Sequence, residues 1–117
     1  MSETARREWR FYIDDMIGFC GKVQAYTSGL DQAGFAASGL NYDATLRNLE
    51  LIDEAAMHVP EDIRNSNPQI PWRRIIATRN RLIHGYLGID NDTLWSIIRG
   101  DVPALLPALR ALQAKSA

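Results

Sequence analysis

Trp9, Ile13, Met16, Cys20, Val23 and Tyr26 recur at steps of three and four residues, and Tyr12 and Phe19 widen the stripe. That spacing follows the 3.6-residue turn of an α-helix and excludes the two-residue alternation of a half-buried strand. It predicts a helix over 4–26, capped by Ser2 or Thr4 and ended at Gly29. The rhythm returns in Tyr42, Leu46, Leu49, Ile52 and Ala56, which predicts a helix over 42–58 capped by Asn41 or Asp43. It returns again in Val102, Leu105, Leu106, Leu109 and Leu112, a final helix capped by Asp101. Pro107 should kink that helix or move its regular part downstream. Shorter helices are expected over 31–38 with Asp31 as cap, after Pro60, and over 93–99 with Gly100 as terminator. No useful segment alternates with period two, and no Asn-Gly or Asp-Gly hairpin turn occurs. The expected fold is all-α: an antiparallel bundle of three to four longer helices with short connecting helices, forming one domain over 1–117.

Charge narrows the functional classes. A net charge of −1 argues against a general nucleic-acid coat, which would be basic throughout, yet leaves room for a local basic cleft. The single cysteine, Cys20, permits no internal disulfide and sits among Met16, Phe19 and Val23 as a small buried hydrophobe. No apolar run approaches the roughly 20 residues that span a bilayer. The mixed-charge start Met1-Ser2-Glu3-Thr4-Ala5-Arg6-Arg7 is unlike a signal peptide, so no membrane association and a cytoplasmic location are expected.

The chemistry concentrates in Arg79-Asn80-Arg81-Leu82-Ile83-His84-Gly85-Tyr86, at the end of a helix that Pro71 and Trp72 begin. Between Arg64 and Tyr86 there are five arginines and no acid. On an ideal helix Trp72, Ile75, Ile76, Leu82 and Ile83 share one arc, and Arg79 falls inside it. A guanidinium there must face a partner, a cleft or an interface. A carboxylate such as Glu50 or Glu54 is the plain answer. Arg73, Asn80 and His84 share a flank; Arg74, Thr78 and Arg81 take the outer side. Arg79 and His84, five apart, lie about 140° from one another. A shared site therefore needs the long arginine side chain to wrap round, a bent helix end near Gly85, or a second subunit. The spacing alone leaves His84 open to reading as an ordinary helix-end residue. Glu54 and His58 form a possible metal pair or an exposed i,i+4 pair; two ligands are too few for a site.

This stretch resembles the signature of the HEPN superfamily, an arginine, a polar residue, spacers and a histidine. The His84-Gly85-Tyr86 extension resembles the HepT-like toxins encoded beside minimal nucleotidyltransferase antitoxins. Leu46-Arg47-Asn48-Leu49-Glu50-Leu51-Ile52-Asp53-Glu54-Ala55-Ala56 is similar to the family's central helix, Pro68-Gln69-Ile70-Pro71-Trp72-Arg73 to its lead-in, and Trp95 to its following helix. Asp53 departs from the pattern, where a small glycine is expected. The resemblance implies a metal-independent endoribonuclease toxin without cofactor, acting on RNA, tRNA among the candidates. Catalysis falls to Arg79 and His84 with Asn80 in support, and Arg73 and Arg81 bind substrate. It implies a homodimer whose two motifs face one cleft, and inactivation by an antitoxin nucleotidyltransferase that transfers AMP to Tyr86. The alternative is a non-catalytic HEPN module that binds a nucleotide or a nucleotidyltransferase partner.

Overall fold

A computed structural model of the chain describes residues 3–82 and 88–116, and the side chains of 8–82 and 88–115. Every regular element among them is helical. In chain order these are α1 (Glu3–Thr27), α2 (Gln32–Ala37), α3 (Gly39–His58), α4 (Glu61–Ser66), α5 (Trp72–Ile76), α6 (Thr78–Leu82), α7 (Asn91–Ser96), a π-helical turn (Ile97–Asp101) and α8 (Val102–Ser116). The all-α expectation holds.

Contacts at the ends of the long helices fix their directions. Tyr26 near the end of α1 accepts, through its carbonyl, a hydrogen bond from the Asn41 amide near the start of α3 (3.0 Å). Tyr12, early in α1, stacks on His58 at the end of α3 with ring centroids 4.9 Å apart. α3 therefore runs antiparallel to α1. α8 does so too: Gln113, near its end, donates to Asp14, while Arg99, just before it, donates to the carbonyls of Thr27 (3.0 Å) and Leu30. The Arg99 bonds tie the exit of α1 to the approach to α8, and the guanidinium lies 4.5 Å over the Trp95 ring. Gly29 follows at φ +75°, the left-handed conformation a helix exit favours.

The apolar rows read from the sequence meet in one core. Trp9, Ile13, Met16, Cys20 and Val23 of α1 are buried against Leu49, Ile52 and Ala56 of α3 and the whole row of α8. Burial pushes the Cys20 thiol up to about 12, so it is an inert packing group. Phe35, from the short α2, is 2% exposed and packs between Tyr42 and Trp95. Asp31 caps α2 as expected, accepting from the Gly34 N–H at 2.7 Å. A side chain at Gly34 would bring a Cβ to 3.0 Å from that carboxylate oxygen.

Four local expectations change. Neither Asn41 nor Asp43 caps α3, which begins earlier, at Gly39, and Asn41 is spent on Tyr26. The helix expected from 93 begins two residues earlier, at Asn91, because Asp90 caps it, accepting from the Thr93 N–H at 3.1 Å. Gly100 does not end a helix and Asp101 does not start one. α7 continues through the π-helical turn into α8, because Ile97, Ile98 and Val102 bury on both sides of the glycine. Pro107 lies inside α8 without displacing its start.

Candidate active site

α5 and α6 are one helix with an irregular joint. The approach is set by Trp72, whose indole N–H donates to the Asn67 carbonyl (3.0 Å) and whose ring is buried. Pro71 precedes the first turn, where a missing N–H does no harm. At Ala77 the backbone sits at φ −84°, ψ 0°, yet the hydrogen bonds Ala77 N–H to Arg73 and Arg81 N–H to Ala77 carry the helix across it.

That joint changes which residues face the core. The buried positions are Trp72, Ile75, Thr78 and Leu82, steps of three, three and four. Thr78, expected on the outer side, is 8% exposed, with its hydroxyl donating to the Arg74 carbonyl at 3.2 Å. Arg79, expected in the middle of the apolar arc, is turned to the rim and exposed, and Ile76 is only half-buried. At the joint Ala77 departs from regular helical backbone, and Thr78 rather than Arg79 takes the buried position.

Arg79 does face a cleft. It lines a small cavity of about 60 Å³ with Leu46, Leu49, Glu50 and Asp53 of α3, Thr78 and Leu82 of its own helix, and Ile89. Neither Glu50 nor Glu54 pairs with it among the described residues. Glu50 pairs with Arg47 at 3.3 Å, and Glu54 lines a separate groove with Tyr12 and His58. Asp53 is the acid whose charge bears on it. One Asp53 carboxylate oxygen is buried without a hydrogen-bond partner. Burial pushes that carboxyl up to about 6, against the pull of the Arg79 charge. Among the described residues Arg79 forms no ion pair or hydrogen bond with a carboxylate. Its guanidinium thus has an attractive charge nearby but no committed partner.

The other arginines divide. Arg81 donates to Asp101 at 2.9 Å, and Arg74 grips the same carboxylate at 3.0 and 3.3 Å. Burial raises the Asp101 carboxyl, but hydrogen bonds from Arg74 and Arg81 outweigh it and hold it below the usual carboxylate range. Arg73 and Asn80 are exposed. The acid-free run of sequence is therefore not acid-free in space, since α3 and the π-helical turn bring Asp53 and Asp101 to it. Asp101 had no signal beyond its expected cap, because its partners lie 20 and 27 residues away.

His84 and Tyr86, with Gly85 between them, lie outside the described residues. The segment's ends are pinned. Leu82 is buried, its carbonyl accepts from the Asp90 N–H at 2.8 Å, and Gly88 turns the chain at φ +83°. Tyr42 bonds Asn91, and Gln32 bonds Asp92 at 2.7 Å, which docks the start of α7 on α2 and α3. Among the described residues no three His, Cys, Asp or Glu side chains gather as metal ligands, and His58 is stacked on Tyr12.

Comparison with known proteins adds to this geometry. A family model described as HepT-like ribonuclease matches residues 16–112. A protein of Thermococcus cleftensis named "Probable ribonuclease HepT" is 31% identical over 100 residues, covering 86% of this chain and 91% of its own. A candidate RNase of Methanocaldococcus jannaschii is 33% identical over 101 residues, covering 86% of this chain and 93% of its own. No solved structure matches the chain.

Proposed function

The chain belongs to the HepT-like ribonuclease family, and from that premise we propose that it is a metal-independent endoribonuclease acting through Arg79 and His84. The observation that carries this reading is the Arg79 guanidinium, exposed on the rim of a cleft and, among the described residues, in no ion pair with a carboxylate. A permanent planar cation in that state is suited to clamp a phosphate. Cutting RNA needs no outside nucleophile. The 2′-hydroxyl attacks the adjacent phosphorus, the new 2′-O–P bond forms as the P–O5′ bond breaks, and a 2′,3′-cyclic phosphate and a 5′-hydroxyl result. An imidazole ordinarily titrates near neutrality, which suits His84 to take the proton from the 2′-hydroxyl or deliver one to O5′. Arg79 stabilises the charge on the phosphorane oxygens. Asn80 supports them from the flank of the helix, and Arg73 and Arg81 contact substrate, Arg81 from within its bridge to Asp101.

In this reading the enzyme is a toxin working as a homodimer, with both motifs at one cleft; an ideal helix would set Arg79 and His84 about 140° apart, a separation that a second subunit can make good. The antitoxin is a minimal nucleotidyltransferase that transfers AMP to Tyr86, placing a bulky anion two residues from His84.

The test is incubation of the purified protein with bulk RNA or tRNA in EDTA. Fragments with 2′,3′-cyclic phosphate ends, absent with His84→Ala, are expected. Undiminished cutting by His84→Ala would overturn the mechanism, and mass spectrometry after incubation with the nucleotidyltransferase and ATP tests Tyr86.

A further inference from the structure

A second basic surface lies upstream of Arg79, and of its residues the reading above uses Arg73 alone, as a substrate contact. Between α4 and α5 the chain leaves an open groove of about 520 Å³, lined by Glu61, Arg64, Asn65, Pro68, Ile70, Pro71, Trp72, Arg73 and Arg74. Three arginines on one concave surface are a costly arrangement unless something answers their charge.

The fold answers little of it. Arg64 is half-buried, and its Nε is buried without a hydrogen-bond acceptor. Arg73 is exposed and forms no ion pair among the described residues. Arg74 shares the single Asp101 carboxylate with Arg81, so that cluster keeps one surplus positive charge. Glu61 is the one acid of the lining, and it offsets only one of the remaining cations. The groove is also close to the proposed site. Arg73 and Arg79 sit on the same nearly continuous helix, six residues or about 9 Å of rise apart. That is roughly two to three nucleotides of a stacked strand.

We propose that this α4–α5 groove is a phosphate-backbone subsite, in which Arg64 and Arg73 hold the RNA strand a few nucleotides from the bond that is cut. The inference rests on the ribonuclease reading for its ligand but not for its evidence. Both cations contact phosphate and neither contacts the reacting atoms. The subsite carries no sequence preference, because phosphate contacts position a strand without reading bases.

The experiment measures binding of a fluorescent, fully 2′-O-methylated single-stranded RNA, which has no 2′-hydroxyl to attack, over a range of salt. Arg64→Gln/Arg73→Gln should bind about ten- to thirtyfold more weakly near 0.1 M salt. The slope of log affinity against log salt should become shallower by about 1.4, at about 0.7 per lost phosphate contact. Arg64→Lys/Arg73→Lys should keep the wild-type slope, and Arg110→Gln, on exposed α8, should change neither value. Arg73→Gln alone, at an exposed site, should lose about half the slope change and guards against a folding defect at Arg64. An unchanged slope in the double variant overturns the proposal, as does a wild type that binds no RNA; an unchanged slope with lost binding to an acidic protein partner assigns the groove to that partner instead. Because the probe cannot be cut, failure of the cleavage mechanism leaves this result standing.

Discussion

Asp53 of α3 and Arg79 of α6 line the same small cavity, and the arginine's charge draws down a carboxyl that burial pushes up to about 6. The two side chains are held in opposition without forming an ion pair.

The first prediction follows from that carboxyl. An aspartate whose pKa is higher folded than unfolded holds its proton more tightly in the folded state. Folding stability is then greatest below the unfolded value near 4 and falls as pH rises through about 6. Asp53→Asn carries no such charge. It should be more stable than wild type at pH 7.5, by roughly 1 kcal/mol once partial exposure is discounted. The advantage should vanish below pH 4. Urea denaturation across that range measures it, and a constant difference at every pH would contradict it.

Asp101 predicts the opposite slope. Its carboxyl is held below the usual range, so its contribution is present above an ordinary aspartate pKa near 4 and is lost as pH falls through the lowered folded value. Asp101→Asn should lower stability by about 1 kcal/mol at pH 7 by loosening both arginines. Wild type and variant should converge in acid, as thermal melts at pH 7 and pH 3 would show.

At the proposed site, Arg79→Ala should lower the rate of RNA cleavage by about 10²–10³, the scale for removing one charge-stabilising donor. His84→Ala should lower it by about 10²–10⁴. Arg79→Ala should not change the melting temperature by more than a few degrees, because Arg79 is exposed and forms no ion pair among the described residues. A large stability loss with Arg79→Ala would make it a structural residue.

Phe35→Ala should destabilise the fold by about 3–5 kcal/mol, since the ring is enclosed between Tyr42 and Trp95 and nothing nearby fills the space. Because α2 and the start of α7 both rest on this cluster, hydrogen exchange should rise around residues 31–42 and 91–96 together.

The long helices were legible because each buries a stripe wide enough to outvote local exceptions. Trp9, Ile13, Met16, Cys20 and Val23 all lie in the core, as does every residue of the α8 row. The errors came where a local signal met a distant one. Gly100 lowers helix propensity by about 1 kcal/mol, but the burial of Ile97, Ile98 and Val102 around it exceeds that. Asp101 has the chemistry of a cap, and two arginines from another helix claim it. Arg79 was misplaced by assuming an ideal turn where Ala77 departs from one. Asp53 was noticed only as an oddity, since nothing along the chain tells which residue of α6 will stand across from it.

The joint between α7 and α8 has a consequence for length. Leu94 and Val102 both enter the core. Eight residues of regular α-helix turn through about 800°, which would leave the second about 80° out of phase with the first. The wide turn of Ile97–Asp101 winds more slowly and absorbs that excess, so it behaves as slack taken up in a thread. Seven residues would turn through about 700°, nearly two full revolutions, with no wide turn at all. The chain should therefore accept the loss of one residue here and keep the α8 row facing inward, whereas an added residue would find no slack left to absorb it.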